Sequence, residues 1–383
     1  MRVVLSTWGR FHSFHLARQM QRFDWLEAVF TTLPRFILRN EGIPPEKLIV
    51  NPWLHPFVLA KWRAGLTNPR IDRFLLRLVD RSQQRFIARR VPPCDVFIAL
   101  SGSGLVGGRI VQEHGGKWIC DRSSCHQAYA DQLMVEEFAR FGLEYPQTDA
   151  WTLNKELHEY QEANIIVVPS EFARRSFTSQ GIDPARVVKI CFGCDLNTFR
   201  RTREVDPAAF TVFYCGQVSF RKGIPYLLDA FQRVRHPRKK LIIAGAVLSE
   251  IKAFLAKADL TDVEFVGVVD RSRLSDFYSR ANVFAIASVE EGMAIVQTEA
   301  MACGIPLVAT ENSGAADLIR DGVEGYIVPI RAPDVMAERL QTLADACDLR
   351  AAMGIAASEK IQSLGGWNHY GDQYRNLCLA LTS

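Results

Sequence analysis

The chain has 383 residues, of which 48% are hydrophobic and 23% charged, with a formal net charge of +4. That length makes two domains the default, and the composition is that of a globular protein without low-complexity or disorder-prone tracts. No apolar run approaches the roughly 20 residues of a membrane-spanning helix, and MRVVLSTWGRF lacks a signal peptide's apolar stretch and cleavage site; a cytoplasmic location is expected from the buried reduced thiols described below.

In chain order, the first half alternates short apolar runs with helical spacing. Strands are expected at 3–6, 26–31, 48–51, 96–100, 118–121, 165–169 and 187–191, with Phe14, Ala17 and Met20 marking the first helix. Strands apolar on both faces, separated by helices, predict a parallel sheet covered on both sides. The loop after the first strand, STWGRFHSFH, carries Gly9 but no G-x-G-x-x-G, so the dinucleotide fingerprint is missing. His12 and His15 are candidate site residues there; packed or capping histidines are the alternative.

Charge is uneven. Residues 1–100 hold 16 Lys and Arg against 7 Asp and Glu. Arg70, Arg73, Arg77, Arg81, Arg85 and Arg89 recur on one helical face, beside an apolar stripe of Ile71, Phe74, Leu75, Leu78 and Phe86. This basic amphipathic stretch, 70–90, fits an anionic membrane surface, placing the protein at the inner face of the membrane; an ordinary covering helix with a solvated basic face is the alternative. Nucleic acid is not expected, because no reader motif or aromatic platform accompanies the charge. Further on, CDRSSCHQ at 120–127 follows a strand, so Arg122 and His126 are expected to face a cleft, Arg122 on the acceptor side.

A polar stretch ending in proline, 198–207, reads as a linker. After it the pattern restarts, with strands expected at 210–215, 241–244, 263–268, 283–287, 306–309 and 325–328 and helices from 224, 249 and 295. The domains expected are thus 1–205 and 206–364, two doubly wound α/β halves whose ligands lie at the carboxyl ends of the strands. The loop after the strand at 210–215 runs from Gly216 to Arg221-Lys222-Gly223, two cations ahead of a helix, which suits a diphosphate. EEGMAIVQTEAMACGIP, 290–306, places Glu291 at a strand end, Gly292 where backbone can approach a ligand, Met293, Ala294 and Ile295 at a helix start, and Glu299 one to two turns inside. The helix end can hold an anion, with Glu299 on ribose hydroxyls and Glu291 on the group the anion carries. A solvated helix residue and a cap are the alternatives. Nine cysteines include Cys191-Phe-Gly-Cys194, but no second such pair completes a zinc site, and buried reduced thiols are expected.

These motifs together resemble the retaining glycosyltransferases of the GT-B fold, family GT4, most specifically in the second half. Glu291-Gly292 through Glu299-Ala300-Met301-Ala302, with Gly304 and Pro306, looks like that family's E-x7-E signature. The resemblance implies two Rossmann-like domains facing a central cleft, with a C-terminal helix, 365–383, crossing back to the first. It also implies a UDP- or GDP-linked sugar donor, no cofactor and no metal. Glu299 would then contact the ribose, Glu291 would lie by the donor sugar, and Lys222 would grip the diphosphate. Gly9, Gly216, Arg221, Gly292, Met293, Ala294 and Ile295 would line the donor site, with His126 near the reaction and His12 on the acceptor side. The acceptor would be a glycan, a lipid-linked sugar or a small molecule in cell-surface glycan or glycolipid synthesis. Gln217 stands where the family commonly has Arg, which leaves Arg221 as the substitute. That departure keeps open a degenerate, non-catalytic GT-B partner, beside an epimerase or a phosphorylase on the same fold.

Overall fold

The computed structural model describes residues 1–64, 66, 68–203, 205, 206 and 208–383. Gly65 and Thr67, next to the basic stretch, and Glu204 and Pro207 of the expected linker lie outside the described residues.

The first half builds one sheet from β1 (Val3–Thr7), β2 (Leu26–Thr31), β3 (Leu48–Val50), β4 (Val96–Leu100), β5 (Lys117–Asp121), β6 (Ile165–Val168) and β7 (Val187–Lys189). All pairs are parallel, in the order β3-β2-β1-β4-β5-β6-β7. Leu5 of β1 lies between Val29 of β2 and Ile98 of β4, all three buried, as expected of central strands covered on both faces. The second half builds a six-stranded parallel sheet from β8 (Phe210–Cys215), β9 (Lys239–Ala244), β10 (Val263–Gly267), β11 (Val283–Ile286), β12 (Leu307–Thr310) and β13 (Gly325–Val328), in the order β10-β9-β8-β11-β12-β13. Each sheet therefore reverses its winding once, between β1 and β4 in the first domain and between β8 and β11 in the second. The crevice beyond the strand ends at such a reversal is where doubly wound sheets bind ligands.

Two expectations need correction. The helix expected from 249 is only a 3-10 turn, Ser249–Ile251, followed by the short helix Lys252–Leu255. The basic stretch is preceded by a separate helix, His55–Arg63, and its own helix is Pro69–Ala88. That helix starts where the Asn68 side chain accepts from the backbone N–H groups of Arg70 and Ile71, at 3.1 and 3.2 Å. Its apolar stripe is not wholly covered either, since Phe74 is 62% exposed.

The chain crosses between the domains twice. Arg201 of the linker donates to the carbonyls of Cys303 and Gly304, and Thr202 N–H to Ser279, so this segment is laid against the second domain. The last helix, Gly366–Thr382, returns to the first domain, where Trp367 stacks on His15 at 3.8 Å and Asn368 accepts from Gln19. The crossings touch backbone to backbone: a Cβ on Gly193 would lie 2.5 Å from the Trp367 nitrogen, and one on Gly366 would lie 2.7 Å from the Cys194 carbonyl oxygen. Cys191 and Cys194 are free thiols, and Cys94, Cys120, Cys125, Cys303 and Cys378 are too.

Candidate active site between the two domains

The loops after β8 and β11 flank the winding reversal of the second sheet. The β8 loop turns back at Gly223, whose φ of +64° is the left-handed region and whose Cβ would lie 1.8 Å from the Ala287 carbonyl oxygen. No other residue fits there, and the close approach brings Arg221 and Lys222 alongside Glu290 and Glu291. Val289 N–H donates to the Arg221 carbonyl at 2.9 Å, pinning one loop to the other. The Arg221 guanidinium donates to the Glu290 carbonyl at 3.0 Å and to its carboxylate at 3.2 Å, and it lies 3.5 Å from Glu291. The Lys222 ammonium is in direct contact with the Glu291 carboxylate. Gly216 stands at the start of this loop, and Gln217 beside it is exposed, bordering with Arg221 a cavity of about 410 Å³ between the domains.

Gly292 follows Glu291 and leads into the helix Ile295–Ala302 through the buried Met293 and Ala294. That helix has no side-chain cap; in its first turn the Gln297 N–H donates to the Ala294 carbonyl at 3.0 Å. Within it Glu299 is buried, not solvated. Tyr278 donates to one of its oxygens at 3.0 Å, and Arg271 lies 3.0 Å from the other. Burial pushes the Glu299 carboxyl up to about 7 against the opposing pull of Arg271 and Tyr278. Burial and the neighbouring Arg221 push the Lys222 ammonium down to about 7. Two groups of opposite charge are thereby set to change protonation near neutrality, beside a cluster of cations and a helix terminus.

The first domain meets this cluster through the loop after β5. A Cβ on Gly292 would lie 2.1 Å from the Ser123 carbonyl oxygen and 2.6 Å from the Ser124 Cα, so only glycine admits that backbone. Ser170 donates to the Gly292 carbonyl at 2.5 Å. Glu290, almost fully buried, joins the domains: one oxygen accepts from Ser124 and, at 3.2 Å, from the Cys125 thiol, while the other faces Arg221. Burial alone would raise this carboxyl, but Arg221 and the two donated bonds hold it below its ordinary value.

The remaining expected residues are spread more widely. Arg122 turns into the first domain, donating to Glu156 at 2.8 Å, Gln127 at 2.7 Å and the Cys125 carbonyl at 3.0 Å, and it braces the loop rather than facing the crevice. His126 is buried between Tyr160 and Phe177, with ring centroids at 5.0 and 5.1 Å, and burial lowers it to about 4, so the ring stays neutral. His12 hydrogen-bonds Asp121 at 2.7 Å with both side chains buried. His15 stacks on Trp367, and burial and Arg18 hold it down at about 3. Gly9 lies in the β1 loop, where the Phe11 ring crowds the position of a Cβ. Sequence reasoning missed Ser123, Ser124, Glu290, Arg271 and Tyr278. For Glu290 the signal was present as the doubled acid of EEG; the others take their roles from contacts between distant segments.

Residues 197–360 match the model of the family described as glycosyl transferases group 1. A D-inositol 3-phosphate glycosyltransferase of Kribbella flavida is 31% identical over an alignment covering 57% of this chain and 57% of that protein. This chain thus spans little more than half the length of that curated relative. Among solved structures, sucrose-phosphate synthase from Thermosynechococcus elongatus superposes with a TM-score of 0.77 at 20% identity, covering 100% of this chain and 99% of its own. HepE of Anabaena, solved in complex with UDP and glucose, gives 0.70 at 17% identity, covering 99% of this chain and 100% of its own. These likenesses establish the fold, the two Rossmann-like domains of GT-B glycosyltransferases.

Proposed function

From the match of residues 197–360 to the glycosyl transferases group 1 model, we propose that the chain is a retaining glycosyltransferase that moves a sugar from a nucleotide-sugar to a hydroxyl acceptor. One observation carries the reading: the Arg221-Lys222 loop of β8 and the Glu291-Gly292 loop of β11 converge at the winding reversal, next to an uncapped helix terminus. Glu299 takes the ribose hydroxyls, and Glu291 lies by the donor sugar. Lys222 and Arg221 leave their carboxylate contacts for the diphosphate and stabilise the charge that builds on it as the glycosidic bond breaks. Attack comes from the face the diphosphate leaves, so the anomeric configuration is kept, and a phosphate oxygen helps accept the acceptor's proton. Neither glutamate serves as a nucleophile, and the carboxylate-pair logic of glycosidases does not apply. The two cations supply the positive charge at the diphosphate, and on this reading no metal ion is required.

The test is a thermal-shift and turnover panel of UDP- and GDP-sugars with EDTA present, starting with UDP because HepE was solved with it. The affinity of the donor is expected to peak near pH 7. It falls in acid as Glu299, raised to about 7, takes a proton, and falls in base as Lys222, lowered to about 7, loses one. Glu299→Gln should remove the acid limb. A flat profile, or no nucleotide-dependent shift with any donor, would count against the assignment.

The location we propose is peripheral, on an anionic membrane. On the wheel of the helix Pro69–Ala88, Phe74 falls between Arg81 and Arg85, on the face turned to solvent. Phe57 of the preceding helix is 63% exposed and Trp53 before it 83%. Lys61 bridges to Asp72 at 2.5 Å and holds the two helices together. Among the described residues, Arg81, Arg85, Arg89 and Arg90 have no carboxylate partner, and they line a groove of about 420 Å³. Aromatic side chains for the interface and unpaired arginines for headgroups are the two elements of surface binding; among the described residues, no helix is long and apolar enough to cross a membrane. Flotation with phosphatidylglycerol vesicles should recover the protein, and Arg81→Glu with Arg85→Glu should weaken binding by at least about 30-fold. Equal recovery of the double variant would reduce this face to an ordinary covering helix.

A further inference from the structure

The first domain carries its own crevice at its own winding reversal, between the loops after β1 and β4. A cavity of about 300 Å³ lies there, within the size range of small-ligand sites. Its walls are two indoles, Trp8 from the β1 loop and Trp151 from the helix Ala150–Glu162. Lys155 sits between them, its ammonium 5.6 Å from the Trp8 ring and 5.1 Å from the Trp151 ring. Two of its protons go to Asp80 at 2.6 Å and to the Gly102 carbonyl at 2.7 Å, which leaves a third for a ligand.

The charges settle what kind of ligand fits. Three carboxylates line the cavity, and each already has a cation: Asp80 has Lys155, Asp149 has Arg77 at 2.7 Å, and Glu156 has Arg122 at 2.8 Å. The lining charges balance, with Asp80, Asp149 and Glu156 against Lys155, Arg77 and Arg73, so no net positive charge draws a phosphate in among the three carboxylates. A sugar ring needs no such field. Its hydroxyls both donate and accept, so they can insert between a carboxylate and its cation without leaving either unsatisfied, and its C–H face can lie on an indole. Arg77 lies on the same side of its helix as Arg81 and Phe74, about 40° and 60° from them round the wheel, so a ligand in this cavity stands next to the proposed membrane face. Glu156 holds Arg122, which braces the loop that reaches Gly292, so the cavity is linked to the donor site through that loop.

We propose that this cavity receives the acceptor, and that the part it takes is a neutral saccharide ring and not a phosphorylated polyol. The proposal rests on the transferase reading and goes beyond it by naming the acceptor class. Its test uses the full chain with methyl glucopyranoside, methyl mannopyranoside and methyl galactopyranoside, against glucose 6-phosphate and inositol 1-phosphate. Binding is read by saturation-transfer NMR and tryptophan fluorescence, and UDP binding is measured in parallel. At least one neutral glycoside should bind, and Trp151→Ala and Trp8→Ala should each weaken it by about tenfold or more with the UDP response intact. Trp151→Phe, which keeps an aromatic wall, should retain most of the binding and serves if the alanine variant misfolds. The proposal is overturned if a phosphorylated ligand binds about tenfold tighter than every neutral glycoside. It is equally overturned if glycoside binding ignores both tryptophans, or if UDP binds and no neutral glycoside does. Glycoside binding at the tryptophans without any UDP response would leave the saccharide site standing and remove the transferase reading instead.

Discussion

Lys222→Ala is expected to lower sugar transfer by about 10²–10³-fold while the chain stays folded. The ammonium lies at the carboxyl end of the central strand β8, in contact with Glu291, in a loop fixed by Gly223 and by the Val289–Arg221 backbone bond. With the loop fixed, the ammonium has only to exchange Glu291 for the diphosphate when the donor binds, so it is in place before charge builds on the leaving group, and that pre-organisation is the source of the effect. Arg221 cannot take over fully, because three of its contacts run to Glu290 and Glu291. Gln217, beside Gly216, is neutral and offers no second cation. The loss should fall on turnover more than on donor affinity, and Lys222→Arg should recover part of it. The decisive measurement is single-turnover transfer with the preferred donor. Wild-type rates in Lys222→Ala would sink the proposed site.

Glu290→Ala is expected to destabilise the closed arrangement of the domains by about 2–3 kcal/mol, below the usual cost of breaking a fully buried pair because Arg221 is partly exposed. The carboxylate is the partner of Ser124 and Cys125 in one domain and Arg221 in the other, so its removal leaves polar groups unmatched on both sides of the seam. Glu290→Gln keeps the shape and an oxygen for Ser124 but loses the charge facing Arg221, and it should cost less. Because the folded carboxyl lies below its ordinary 4.5, its contribution is complete above that value and disappears as pH falls through the lower folded value. The stability gap between wild type and Glu290→Gln should therefore shrink in acid. Urea midpoints across pH, together with small-angle scattering for the width of the cleft, check both parts. A pH-independent gap or an unchanged cleft in Glu290→Ala would show that this residue does not latch the domains.

Most of the architecture was legible because central parallel strands are apolar on both faces, and runs such as Val3–Thr7 and Phe210–Cys215 have no other soluble explanation. The β11 loop and its helix were legible for a local reason: strand end, glycine and helix start are consecutive in the sequence. Contacts between domains were not. Nothing local distinguishes Glu290 from Glu291, and the difference lies in Ser124, 166 positions away. Glu299 looked equally able to face solvent, and what buries it is Tyr278 with Arg271 on a different helix. Arg122 and His126 misled because a loop after a strand has two sides, and here their side chains take the inner one. Phe74 could have been placed, since the helical wheel sets it among the arginines, where a covering helix would not keep an aromatic ring.

The two crossings of the chain meet at Gly193 and Gly366, where the absence of side chains lets one backbone rest on the other. Two covalent connections at a single spot act as a pivot: they permit rotation and forbid sliding. A parting of the halves is therefore expected to be a rocking one, in which the Ser123–Gly292 contact would separate while the Gly193–Trp367 contact stays as the fulcrum.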